Sequence, residues 1–509
     1  MDSSVRLRFA PSPTGPLHIG GIRTALYNYL FARKYGGSFI LRIEDTDQGR
    51  YVQGAEQYII DCLNWVGLVP DEGPGFGGPY GPYRQSDRKP IYVEHALALI
   101  NKGEAYYAFD TGEELENLRA ANGGNQKYDF VTRNQMRNSL VLSEDETNRL
   151  LKAGLSYVIR LKVPENQEVQ IEDIIRGQVI FKTTELDDKV LIKSDGMPTY
   201  HMANVVDDYL MKISHVIRGE EWLSSTAHHV LLYRAFGWLD QMPKFAHLPL
   251  IMKPTGNGKL SKRDGAQFGF PVFPISWQPK EGESLLGFRE FGFEPEALLN
   301  FLALLGWNNG TEQEIYSMEE LIQAFSLEKI VKSGARFDFE KGKWFNQQYL
   351  HQKSGFPFIQ RIKDDFINNG IQVSDEIAVQ IFDLFKDRVL FFKDYLQLGK
   401  VYFLELESYD SEFIIKKFKP EFISVLQSVS EILNHLEFWN PEQIEVALKE
   451  FLKSAAIKPG ELFPLLRVLI SGIPTGPDAF KMISFLGREK MVIRIYKFIE
   501  FINTKKQEA

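Results

Sequence analysis

The sequence predicts an α/β fold: a doubly wound, Rossmann-like parallel sheet, interrupted by an α+β insertion and followed by mostly α-helical domains. Three observations carry this prediction. The first hundred or so residues alternate strand and helix patterns. From about 106 to 193 that alternation gives way to short apolar strands and a Gly/Asn-rich loop. The last third holds long Phe/Leu/Ile segments at helical spacing.

In order along the chain, "VRLRFA" sets apolar Val5, Leu7 and Phe9 against Arg6 and Arg8, the alternation of a strand. "PSPTGPLHIGG", residues 11–21, is a stiff, glycine-bearing turn. A helix follows from about Ile22, with Leu26, Tyr29 and Leu30 on one face. "SFILRIE" and "AEQYIIDCLNWVG" then complete a βαβ unit, and "IYVEHALALINKG" reads as a further helix. Inside the insertion, the loop "RAANGGNQKYD" and a short helix precede the strands "YVIRLKV", "VIFKTT" and "KVLIK". The α/β texture returns with "ISHVIRGEEWL", the helix "SSTAHHVLLYRAFGW" and "FAHLPLIMKPTGNGKLSKRDG". Beyond "FPVFPISWQPKEGESLLGFREFGF", the stretch "PEALLNFLALLGW" opens the helical part, and the final "TKKQEA" is expected to fray. The implied boundaries are 1–105 and 194–265 for the two halves of the sheet, 106–193 for the insertion, 266–344 for a connecting domain and 345–509 for a helical domain.

Composition narrows the class. At 509 residues the chain exceeds one core, and 44% hydrophobic with 25% charged residues is ordinary for a globular protein. No apolar run approaches the ~20 residues that span a bilayer, and no basic-then-apolar leader opens the chain. The single cysteine, Cys62, excludes an intramolecular disulfide framework and fits a reducing cytoplasm. Cys62 sits in an apolar helix and reads as packing. A net charge of −8 weighs mildly against a nucleic-acid partner, but binding follows local patches and not totals.

A turn at the end of a first strand is where open α/β sheets bind ligands, and a helix N-terminus offers N–H groups to phosphate. A dinucleotide fingerprint fails here, because Pro16 and Leu17 follow Gly15. A P-loop fails too: Gly15 and Gly20 have its spacing, but Gly21 and Ile22 stand where Lys and Ser/Thr belong. The third possibility is a His-Ile-Gly-His-type signature, in which a histidine and small residues let ATP lie against the backbone. "GNGKLSKRDG", residues 256–265, supplies a second element: two mobile ammonium groups that can follow charge developing on phosphate.

With these blocks in view, "RFAPSPTGPLHIGGIRTALYNYLFAR", "LRIEDTD", "DGMPTYHMANVVDD", "HVIRGEEWLSSTAHHVLLYRAFGW" and "KLSKR" resemble the bacterial glutamyl-tRNA synthetases, of the class I aminoacyl-tRNA synthetases. The C-terminal third matches in size and helical texture. The resemblance implies ATP-dependent ligation of L-glutamate to the 3′ end of tRNA(Glu) through a glutamyl-adenylate, with release of AMP and pyrophosphate and with activation dependent on tRNA. It implies ATP as substrate, Mg2+ accompanying it, tRNA(Glu) as partner, no membrane, a cytoplasmic monomer, an acceptor-end role for the insertion and an anticodon-binding role for the helical end.

It also implies roles for residues. His18 and Gly20 contact ATP, with Pro11, Gly21 and Glu221 beside them. Lys262 binds the phosphates with Lys259 in support, alongside Leu260, Ser261 and Arg263. For glutamate, Arg8 and Arg218 match the arginines of the family, and a bidentate guanidinium suits a carboxylate. Glu44 matches the partner of the ammonium group; Ala10, Ser12, Tyr200, Asn204 and Trp222 match further pocket positions. For Arg8 the residues alone leave a solvated edge strand open. Asp45 and Asp47 are expected to cap the next helix rather than to bind metal, and His228 and His229 to be structural. Some relatives carry a zinc site in the inserted domain, but here Ala108 and Asp110 stand where cysteines would, so no zinc is expected. Basic candidates for tRNA contact are "KKFKP" and "REKMVIRIYK", and Trp344 is a candidate for stacking on a base. A glutaminyl enzyme would call for a β-rich end with Gly/Pro turns, and a tRNA-free or small-molecule nucleotidyl transferase for no helical end at all.

Overall fold

The computed structural model describes residues 5–121, 127–279 and 283–508. Residues 122–126 of the expected Gly/Asn-rich loop, 280–282 of the connecting segment and Ala509 lie outside them. The chain divides into two compact units, Met1–Phe345 and Asn346–Ala509.

The first unit is organised by a six-stranded sheet. Its strands are β1 (Arg6–Phe9), β2 (Ser38–Leu41), β5 (Glu168–Asp173), β6 (Gly177–Lys182), β8 (His215–Gly219) and β9 (Lys244–Leu248), in the order β2-β1-β8-β9-β5-β6. A smaller antiparallel sheet joins β3 (Ala105–Ala108), β4 (Val158–Leu161) and β7 (Val190–Ile192). All neighbours in the large sheet run parallel except the β5–β6 hairpin. β1 lies next to the edge strand, with β2 on one side and β8 on the other, so the winding reverses there. The carboxyl ends of β1 and β8 therefore open a crevice, the topological switch point of a doubly wound sheet.

Several elements sit differently from the sequence expectation. The first helix, α1 (Ile19–Lys34), begins three residues before Ile22, because His18 acts as its N-cap. β1 is buried along its whole length, so Arg8 lies in the interior and not on a solvated edge. The hairpin β5–β6 comes from the inserted stretch yet completes the large sheet beside β9. β5, "EVQIED", buries every second residue, including Val169 and Ile171. Asp45 and Asp47 do not cap through their side chains. Asp45 accepts hydrogen bonds from Ser86, and Asp47 from Arg50.

Helices α2 (Ala55–Trp65), α3 (Lys89–Asn101), α4 (Gly112–Ala121), α5 (Glu144–Lys152), α6 (Tyr200–Leu210) and α7 (Thr226–Phe236) complete the α/β part. Cys62 is buried on α2, where burial pushes its thiol up to about 12.

In the second unit every regular element among the described residues is helical. Phe358, Ile362 and Phe366 of one helix share a single apolar core with Leu448 and Leu452 of another and with Met491, Ile495 and Phe498 of the last. That last helix, Arg488–Glu508, continues through most of the tail expected to fray, since Lys, Gln and Glu are good helix formers. No helix among the described residues is long and apolar enough to cross a membrane.

Candidate active site

The crevice at the β1/β8 switch point is a cavity of about 650 Å³. It gathers residues from five separated stretches of the chain. The turn after β1 contributes Ala10, Pro11, Ser12, His18, Gly20 and Gly21, while Arg8 comes from β1 and Glu44 from the segment after β2. α6 supplies Tyr200 and Asn204; β8 and the 3-10 turn after it supply Arg218, Glu221 and Trp222. Lys259, Leu260, Ser261 and Lys262 arrive on the later loop. Among the residues singled out from sequence, Arg263 does not line the cavity.

The turn is shaped by its own chemistry. Gly15 has φ +133°, a conformation that side chains rarely adopt, and a Cβ there would lie 3.6 Å from Lys262 Nζ. Gly21 lets the helix start close over Leu17, whose side chain a Cβ would meet at 2.5 Å. The N–H groups at the start of α1 are already used: Ile19 donates to Val272 O, Gly20 to His18 Nδ1 at 3.0 Å, and Gly21 to His18 O. The helix start therefore does not offer free N–H groups to a phosphate, contrary to the expectation from its position. His18 Nδ1, as acceptor, leaves the ring proton on Nε2. Among the described residues that buried nitrogen makes no hydrogen bond, although the Ser261 backbone lies close. Burial, with Lys262 and Lys259 adding to it, lowers the His18 pKa to about 4, so the ring is neutral at physiological pH.

The two lysines of the loop differ. Lys259 Nζ pairs with Glu221 at 2.6 Å. Lys262 forms no ion pair among the described residues, and partial desolvation lowers its pKa. Asp264 anchors the loop by accepting from the Ser261 N–H and hydroxyl, both at 2.6 Å, and by pairing with Lys253 at 2.8 Å.

Deeper in the crevice lies a buried charge network. Arg8 donates to both oxygens of Asp208 at 3.0 and 3.3 Å. Arg42, fully buried, contacts Asp208 at 2.7 Å, Glu44 at 3.1 Å and Asp207 at 3.9 Å; Arg88 contacts Asp207 at 2.7 Å. Three guanidiniums thus meet three carboxylates. Burial pushes the Asp208 carboxyl up, but Arg8 and Arg42 outweigh it and hold it below its ordinary value. For Glu44 burial prevails and raises the pKa, with Asn204 also donating to it at 3.1 Å.

Arg218 stands apart. Its Nη1 donates to Tyr200 Oη at 2.7 Å, its Nη2 to Thr226 Oγ1 at 2.8 Å and to the Trp222 carbonyl, and its Nε to His247 Nε2 at 3.0 Å. It is 6% exposed and has no carboxylate partner among the described residues. An unpaired buried cation is costly, so this arrangement suits an anion that arrives from outside.

Sequence reasoning missed Arg42, Asp207, Asp208, His247 and Asp173. Their signal was present: Arg42 interrupts the apolar run "FILRIE", and "NVVDD" puts two acids at the end of an apolar helix. His228 and His229 are buried, with His228 Nε2 bonded to the Asp187 carbonyl. Among the described residues no group of three His, Cys, Asp or Glu is arranged to hold a metal. Of the basic stretches considered for tRNA, Lys416 pairs with Glu412 and Lys419 with Glu461, while Arg494 is turned inward onto the carbonyls of Ile470, Val401 and Leu404. Trp344 is partly exposed and packs edge-on against Phe345.

Comparison with known proteins bears on what this crevice does. Residues 4–344 match the family described as tRNA synthetases class I (E and Q), catalytic domain, and residues 356–499 match an anticodon binding domain. A glutamate–tRNA ligase of Cytophaga hutchinsonii is 51% identical over 500 residues, covering 97% of each chain. One from Porphyromonas gingivalis is 50% identical, covering 98% of this chain and 99% of its own. Among solved structures, a glutamate tRNA ligase from Elizabethkingia meningosepticum, crystallised in complex with its amino acid, is 49% identical with a TM-score of 0.92. That match covers 98% of this chain and 99% of the other.

Proposed function

The chain belongs to the class I tRNA synthetases of the E and Q group, and from that premise we propose that its crevice joins L-glutamate to the 3′ end of tRNA(Glu) at the expense of ATP, as a glutamate–tRNA ligase does. The α-carboxylate of glutamate attacks the α-phosphorus of ATP in line and pyrophosphate leaves. A terminal ribose hydroxyl of the tRNA then attacks the acyl carbon of the adenylate, and AMP leaves. The protein makes no covalent bond in this scheme; it positions reactants and stabilises charge.

The observation that carries the amino-acid assignment is Arg218, the buried guanidinium whose partners among the described residues are all neutral. Free glutamate carries two carboxylates and one ammonium, a net charge of about −1 at neutral pH. The Arg8, Arg42, Arg88 set is already balanced by Glu44, Asp207 and Asp208, so the incoming negative charge is matched by Arg218. Glutamine would leave that charge buried and unpaired, which supports discrimination on the order of 10⁴ without a separate editing site. In this reading Glu44 meets the substrate ammonium and Arg8 its α-carboxylate.

On the nucleotide side, His18 Nε2–H donates to phosphate while its neutral ring adds no charge. Lys262 and Lys259 supply the positive charge that the first turn lacks. Mg2+ enters with the triphosphate, bound largely by phosphate oxygens and water. The family supports a cytoplasmic monomer, with the insertion meeting the acceptor end and the helical unit the anticodon.

Charging of purified tRNA with labelled amino acids tests this reading. We expect glutamate to be attached and glutamine to be attached far more slowly. Charging of glutamine without glutamate would overturn it.

A further inference from the structure

Behind Arg218 the structure holds a pair of residues that do not themselves line the cavity. His247, on β9, is fully buried, and Asp173, at the end of β5, is 4% exposed. His247 Nδ1 lies 2.6 Å from Asp173 Oδ2, and its Nε2 lies 3.0 Å from Arg218 Nε.

The geometry fixes the proton. A guanidinium Nε always carries hydrogen, so Arg218 is the donor and His247 Nε2 the acceptor. The imidazole proton is then on Nδ1 and is given to Asp173. Asp173 is itself held by the N–H groups of Ile175, Arg176 and His247. The line Asp173–His247–Arg218 thus runs from the inserted hairpin, through the second half of the sheet, to the cavity.

Its chemistry is more specific than support. A carboxylate placed directly against Arg218 would orient the guanidinium but cancel its charge. A neutral imidazole orients it and leaves the charge for the ligand, while Asp173, one ring further away, fixes the tautomer. Elsewhere in the crevice the opposite choice is made: Arg8 is gripped directly by Asp208.

We propose that His247, fixed by Asp173, positions Arg218 for the side-chain carboxylate of glutamate while keeping the guanidinium uncompensated, and thereby sets the preference for glutamate over glutamine. The inference rests on the functional reading above, with His247 and Asp173 as positioning residues that act through Arg218.

Charging kinetics of the full-length protein test it with three substitutions. His247→Asn retains a donor near Asp173 but removes the acceptor for Arg218. Its KM for glutamate should rise about tenfold or more, with kcat and the KM for ATP within about threefold. His247→Gln keeps an acceptor near the Nε2 position and should recover most of the loss. His247→Glu places a carboxylate against Arg218, and the preference for glutamate over glutamine should fall at least about tenfold. Equal behaviour of the Asn and Gln variants would overturn the inference. So would a His247→Asn variant whose KM for ATP rises as much as that for glutamate, which is the mark of a structural role. Wild-type protein that charges only glutamine would instead overturn the functional reading itself. Independently of how the variants fold, 15N spectra of histidine-labelled wild-type protein should show a neutral ring protonated on Nδ1 with no proton on Nε2. A set of nine ring signals containing no such tautomer would also overturn the proposal.

Discussion

The two units of this chain solve the problem of an interior in opposite ways. In residues 1–345 the centre of the sheet carries charge: Arg8, Arg42, Glu44, Asp207 and Asp208 are buried and matched to one another. In residues 346–509 the core is almost wholly apolar, and ion pairs such as Lys449–Glu445 lie outside it. A buried ion pair is poor value as stabilisation, because desolvation offsets most of the Coulomb gain. Its presence, among the described residues, in one core and not the other marks the first as built for a ligand and the second as built for shape.

That contrast can be broken by mutation. The largest stability effect is expected for Arg42→Met, which strands Glu44 and leaves Asp208 with Arg8 alone. Chemical denaturation should show a loss of about 3–5 kcal/mol, with glutamate affinity falling as well. In the second unit, Leu448→Ala removes a fully buried side chain and should cost about 2–5 kcal/mol by the same measurement, leaving the KM for glutamate unchanged. One residue along the same helix, Lys449→Ala breaks an exposed pair with Glu445 and should cost only about 0.3–0.5 kcal/mol. A Lys449→Ala loss comparable to that of Leu448→Ala would refute the division between apolar core and solvated charge. An Arg42→Met protein of undiminished stability and glutamate affinity would refute the role given to the charged core.

The same contrast explains what the sequence revealed. The chemical unit was legible because "PSPTGPLHIGG", "LRIEDTD" and "KLSKR" place particular residue types at fixed spacing, and all but Arg263 of the residues chosen from them and their neighbours line one cavity. Less legible were features that depend on distant partners. Arg8 could have been a solvated edge residue until β8 was seen to close its other side. The free N–H groups expected at the start of α1 are taken by His18 and Val272, and Val272 lies some 250 residues away in sequence. β5 was missed as a strand because "EVQIED" shows only two large apolar residues, and only the pairing with β9 makes them core. In the helical unit the long Phe/Leu/Ile segments carried readable periodicity, but it reports packing and says nothing of which exposed residues meet a partner.

Labour in the crevice is divided: the first turn supplies shape and a neutral histidine, and Lys262 brings the charge from the far loop. Single-turnover formation of the glutamyl-adenylate by Lys262→Ala, in the presence of tRNA, tests it most directly. That rate should fall about 10²–10³-fold, with tRNA affinity within about twofold of the unsubstituted protein. An unchanged rate, or a loss of tRNA affinity that matches the loss of rate, would contradict it.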